Sequence, residues 1–94
     1  MRRIHFLNIK VENIPNTHEQ ECKDLSCRAN VQYILESDLR LLREKAAKGQ
    51  AARREVIEEI LERWAVCEIF IQMVTGAGIS WIRRVTREVK NKAE

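Results

Sequence analysis

Between Ser26 and Lys48 apolar residues return every three or four positions: Val31, Ile34, Leu35, Leu39, Leu42 and Ala46. That period puts them on one face of a helix, with Arg28, Gln32, Glu36, Arg40, Arg43 and Lys45 opposite. Asp24 or Ser26 can cap its start, and Ser37-Asp38 can cap a second segment after a short break. Gly49 follows Lys48, the place of a C′ glycine after a basic last turn. Residues 50–63 carry the clearest helical stripe, Val56, Ile57, Ile60 and Leu61. The stripe continues in register through Trp64, Cys67, Ile71 and Val74, and no Gly, Pro or Ser interrupts it. Local signals therefore allow one helix of about seven turns from Gln50 to Val74. From Trp64 onward it becomes apolar nearly all round, because Val66, Ile69, Phe70 and Met73 lie off the first stripe. Such a helix must be buried on every side, by its own fold, by a partner chain or by lipid. Thr75-Gly76-Ala77-Gly78 ends it, and Ile79 to about Lys92 form a last helix with Ile82, Val85 and Val89 inward.

The N-terminal pattern is different. Leu7, Ile9 and Val11 alternate with polar residues, which suggests a short strand over residues 4–11. A lone strand must pair with a second copy or another protein, or lie as an arm on the helices; without such pairing the segment is simply an ordered or frayed tail, the ordinary state of a chain end. Residues 13–24 read as a polar connector with the turn formers Asn13, Pro15 and Asn16. The expected architecture is a mainly α protein, a small three- to four-helix bundle with a short N-terminal strand or arm. Residues 1–24 form the arm and connector, and residues 25–94 the helical domain. The expected core is Val31, Leu35, Leu42, Val56, Ile60, Leu61, Trp64, Ile71, Ile79 and Ile82.

Composition sharpens this only in part. Ninety-four residues suffice for one domain, and 5% aromatics leave the core mostly aliphatic. The formal net charge of +3 permits contact with nucleic acid or anionic lipid without requiring it. Placement says more than the sum. Arg83, Arg84, Arg87, Lys90 and Lys92 stand against Glu88 and Glu94 in the last fourteen residues, so the C-terminal segment is the basic end. The odd cysteine count, Cys22, Cys27 and Cys67, together with an N-terminus lacking a secretory signal pattern, leads us to expect free thiols in the cytoplasm.

Few residues suggest chemistry. His18, Cys22 and Cys27 are weak candidates for metal binding, with His5 as a conceivable fourth ligand. They form a single H-x3-C hook followed by x4-C, and structural zinc sites ordinarily show two hooks. Ordinary reduced cysteines near a helix start are the expectation, with no cofactor. No nucleophile–base motif or phosphate loop is present, since Gly76-Ala77-Gly78 lacks the G-x-G-x-x-G spacing and a preceding strand. Glu58, Glu59 and Glu62 look like ordinary helix-surface carboxylates, and we expect no enzyme activity.

Three readings of Trp64 to Arg84 remain. The first is DNA binding: a glycine turn, Ile79 and Ile82 three apart to anchor a helix, then Ser80, Trp81, Arg83 and Arg84 facing out. Arginine suits guanine edges and phosphates. Gly76-Ala77-Gly78-Ile79 followed by Ile82 and Arg84 resembles the G-A-G-I-x-x-I-x-R turn and recognition helix of the Trp repressor superfamily. Upstream, Val56-Ile57-Glu58-Glu59-Ile60-Leu61 is similar to its I-V-E-E-L-L helix, one residue out of register. The resemblance covers roughly residues 50–92 and implies an all-helical, intertwined dimer that binds operator DNA. It also puts Arg53 and Arg84 near the family's two effector-binding arginines, and Cys67 at the family's Ser/Thr cap. On this reading Ser80, Trp81, Arg83, Arg84 and Arg87 contact DNA, Lys90 contacts phosphates, and the protein is a small transcriptional regulator. The second reading is a helical interaction module, a dimeric adaptor or an inhibitor of viral or plasmid origin. It would use Val66, Ile69, Phe70 and Met73 as its dimer or partner interface. The third is a membrane span over the nineteen residues Trp64 to Ile82, flanked by Trp and Arg. Glu68 and Gln72 inside it argue against a span, since a carboxylate at mid-membrane costs about 3 kcal/mol.

Overall fold

Capping chemistry and burial together decide where the helices begin and end. The computed structural model describes residues 9–92. Among these there are six α-helices and no strand: α1 (Ile14–Glu21), α2 (Leu25–Gln32), α3 (Glu36–Ala46), α4 (Gln50–Arg63), α5 (Glu68–Thr75) and α6 (Ile79–Lys92). A 3-10 turn, Val11–Asn13, precedes α1. The expected strand over residues 4–11 falls mostly outside the described residues. The small helical bundle is borne out, with more and shorter helices than the periodicity suggests.

The polar connector of residues 13–24 is largely a helix. Pro15 sits in the first turn of α1, where its missing N–H costs nothing. Ile14 and His18, four residues apart, share the face that α1 buries, and both are fully buried. Arg28 closes the helix: its guanidinium donates to the carbonyls of Glu19 (2.5 Å) and Cys22 (2.5 Å). Asp24, rather than Ser26, caps α2.

The long helix expected from Ser26 to Lys48 breaks at residues 33–35. The break shifts the register, so Ile34 and Leu39 enter the core while Leu35, an expected core residue, is 65% exposed. Gly49 is the N-cap of α4, not a C′ glycine; its φ of 152° is open only to glycine, and the three residues 47–49 turn α4 back along α3. Arg43 on α3 reaches the backbone carbonyls of Ile9 and Met73, tying the start of the described chain to the last turn of α5.

Helix α5 is the centre of the bundle, in contact with α1, α3, α4 and α6. Phe70, Ile71, Met73, Val74 and Thr75 are all buried within the chain itself. Phe70 and Met73 are therefore core residues and cannot be a dimer or partner interface; only Val66 and Ile69 of that set stay partly exposed. The apolar all-round character of this stretch is satisfied by the fold. No helix among the described residues is long and apolar enough to cross a membrane, which removes the span reading.

Candidate nucleic-acid interface and metal centre

The continuous stripe from Gln50 to Val74 is cut at residues 64–67, where Trp64 and Cys67 have extended backbones. Neighbouring groups hold the chain there. The Asn30 side-chain amide of α2 donates to the Ala65 carbonyl at 2.8 Å, the Cys67 N–H donates to Cys27 Sγ at 3.2 Å, and the Arg63 guanidinium stacks on the Trp64 ring at 4.2 Å. Helix α5 then begins at Glu68 and ends after two turns at Gly76, whose φ of 73° is left-handed and whose N–H reaches the Gln72 carbonyl at 2.7 Å. Thr75 Oγ1 accepts from the Ala77 N–H and donates to the Ile71 carbonyl, stiffening the turn from inside. A short helix, a left-handed glycine turn and a longer basic helix thus follow one another.

Helix α6 is sharply two-sided. Ile82 and Val85 are fully buried, and Val89 packs against the core. Ser80, Arg83, Arg84 and Arg87, spaced i, i+3, i+4 and i+7, line one shallow concavity on the opposite side, and Lys90 is exposed beyond them. Five of the six candidate DNA contacts are thus exposed. Trp81 is the exception: it is half-buried and packs on the core. Arg83 bonds Glu68 at the start of α5 (3.1 Å), which links the two helices and raises its pKa through that hydrogen bond. Among the described residues Arg84 and Arg87 form no ion pair. Arg54 on α4 pairs with Glu58 (3.1 Å) and with Glu88 of α6, fixing the far end of α6. Arg53 is half-buried on α4, whereas Arg84 faces out of α6.

The other site is one the sequence only half discloses. His18, Cys22 and Cys27 converge, as the H-x3-C-x4-C spacing allows, and Cys67 joins them from forty residues away; all four donor atoms lie within 4.8 Å of one another. His18 Nε2 stands 3.2 Å from Cys67 Sγ and 3.3 Å from Cys27 Sγ. Each donor has a structural reason to be there. His18 occupies the last turn of α1 and Cys22 is its C-cap, so both sit at one helix end. Asp24 Oδ1 accepts from the N–H groups of Ser26 (2.9 Å) and Cys27 (3.2 Å), which fixes Cys27 in the first turn of α2. Cys67 is the N-cap of α5 and makes no side-chain cap bond. His5, the conceivable fourth ligand, lies outside the described residues.

The site is largely buried. His18 is fully buried with the Phe70 ring edge-on at a centroid distance of 5.9 Å, and its Nδ1 has no hydrogen-bond partner among the described residues. Burial, with the nearby Arg28 charge, pushes the His18 pKa down and keeps the imidazole neutral. Burial pushes the Cys27 thiol up to about 12 and also raises Cys67. The three cysteines are free. A cleft lined by Asp24, Asn30, Trp64 and Lys90 reaches Cys27 and Cys67, so the cluster is accessible from one side. Three thiols and a neutral imidazole are soft and borderline donors for a metal ion.

No protein family, no curated protein and no solved structure matches the chain.

Proposed function

We propose that the protein is a small DNA-binding regulator that uses α5, the Gly76 turn and α6 as a helix-turn-helix. The observation that carries this reading is the stripe Ser80–Arg83–Arg84–Arg87 on the outer face of α6, directly after a left-handed glycine turn and a two-turn helix. In such a unit the second helix enters the major groove, its first turns reach base edges and the flanking cations hold phosphates. Ser80, Arg83 and Arg84 fall in those first turns, with Arg87 and Lys90 following toward the backbone. The half-buried Trp81 acts as an anchor that sets the roll of α6. A homodimer would present two such helices to half-sites one helical turn apart. A reducing cytoplasmic setting suits the free cysteines.

Binding to random-sequence duplex DNA, followed by selection of a preferred site, tests the proposal. Arg84→Ala and Arg87→Ala are the informative variants, since both side chains are exposed and neither is committed to an ion pair among the described residues. Each should weaken binding by on the order of tenfold without changing helix content. Arg83 is less clean, because removing it also breaks the Glu68 link between α5 and α6. Absence of binding at low salt would retire this reading in favour of a protein-interaction module. Leu25, Tyr33, Leu35 and Leu41 are large apolar side chains exposed on α2, α3 and their connection, and they favour that alternative as the surface for a partner.

A further inference from the structure

We propose that His18, Cys22, Cys27 and Cys67 form a closed tetrahedral Cys3His site for one zinc ion, and that this ion fastens α1 and α2 to the start of α5.

The donor set and its spacing choose the ion. Three sulfurs and one imidazole nitrogen suit a soft or borderline cation, not magnesium or calcium, which take oxygen ligands. Around zinc, bonds of about 2.3 Å to sulfur and 2.0 Å to nitrogen place neighbouring donors ~3.8 Å apart for sulfur pairs and ~3.5 Å for sulfur and nitrogen. The His18 Nε2 distances of 3.2 and 3.3 Å need only a few tenths of an ångström of opening, and the 4.8 Å ceiling on every pair fits one ion among the donors. A multi-iron cluster would need the sulfurs farther apart.

The surroundings accommodate the charge that would form. Zinc displaces one proton from each of the three thiols, so Zn2+ enters, three H+ leave, and the site carries a net charge of −1. No electron is transferred. Cys27 in the first turn of α2 and Cys67 at the N-cap of α5 lie at positive helix ends, which stabilise the negative charge the sulfurs take on when the metal binds and offset part of the burial that keeps the metal-free thiols protonated. The Cys67 N–H already donates to Cys27 Sγ, a bond that strengthens when the sulfur becomes anionic. The Arg28 guanidinium, held on the Cys22 and Glu19 carbonyls, adds a fixed positive charge beside the loop. With four protein donors no coordination position stays open for a substrate, so the role is structural. The cleft that reaches Cys27 and Cys67 supplies the entry path.

The site stands apart from the DNA-binding reading, and its test reads metal alone. The full chain, purified under reducing conditions without added chelator, should carry close to one zinc per chain by elemental analysis and by native mass spectrometry. Titration of Co2+ into the stripped, reduced chain should give one equivalent with the intense visible bands of tetrahedral cobalt and thiolate-to-cobalt charge transfer, displaced by Zn2+. Cys67→Ser should lower zinc affinity by more than the roughly 10–100-fold that loss of an outer-shell partner costs. It should also reduce the charge-transfer intensity. His18→Cys guards against a variant that merely fails to fold, because it keeps four soft donors: metal should still bind, with a cobalt spectrum shifted toward four thiolates. Absence of both zinc and a tetrahedral cobalt spectrum in the unmodified chain would overturn the proposal. So would cobalt binding that Cys67→Ser leaves unchanged, or a disulfide between two of the three cysteines as the stable form in reducing buffer.

Discussion

At Gly76 and Gly78 two identical letters do different work. Gly76 holds a φ of 73°, while a Cβ added to Gly78 would meet nothing within 4 Å and strain no positive φ. Replacing Gly76 by Ala should therefore cost about 1–2 kcal/mol, the penalty an L-residue carries in the left-handed region. Gly78→Ala should stay within about 0.5 kcal/mol, because the gain from a stiffer unfolded chain offsets the poorer helix start. Urea titrations of the two variants make the comparison, and equal losses would mean that the turn does not depend on Gly76's conformation. The sequence marks both glycines as a turn; only the backbone angles separate them. The same limit applies to Cys67. Read along the chain it is a weak cap in place of Ser or Thr, and its meaning comes from Cys27 and His18, forty and forty-nine residues away.

At the scale of elements, α5 shows what periodicity can and cannot tell. The stretch from Gln50 to Val74 has an unbroken stripe, and its apolar excess correctly demands burial on every side. What it lacks is any local stop at residues 64–67, because the break is held from outside by Asn30 on α2 and by the Cys27 sulfur. Once α5 is separate, it turns Phe70 and Met73 into the middle of the bundle rather than onto a partner. Phe70→Ala should then cost the chain about 3–5 kcal/mol, the usual range for removing a buried ring, and the denaturation midpoint should fall at every protein concentration. Had Phe70 lain at an interface, the loss would appear mainly as weaker association, with the midpoint of the dilute chain unmoved. Helix α1 was hidden for a related reason. Its buried face amounts to Ile14 and His18, too few positions to show a period, and one of them reads as polar. The outer stripe of α6, by contrast, is legible in its arginines, since Arg83, Arg84 and Arg87 repeat at helical spacing beside the inward Ile82 and Val85, whereas Trp81, expected outward with them, packs half-buried on the core.

For the whole molecule, the small net charge of +3 conceals a segregated one, and the salt dependence of DNA binding follows from the segregation. Each neutralised phosphate contributes about −0.9 to the slope of log K against log salt. One α6 offers Arg83, Arg84, Arg87 and Lys90, so a single chain bound through this helix should give a slope no steeper than about −4. Arg83 is shared with Glu68 and would bring the slope nearer −3 if that ion pair persisted in the complex. Two chains bound to one site would double it, to roughly −5 to −7. Fluorescence anisotropy on a short duplex at several salt concentrations, beside sedimentation of the free chain, distinguishes these cases. A monomer with a slope near −3 that falls by about one in Arg87→Ala locates phosphate contact on α6. A slope that Arg84→Ala and Arg87→Ala leave unchanged would mean that DNA is held elsewhere on the bundle, and the stripe on α6 would then be an ordinary solvated face.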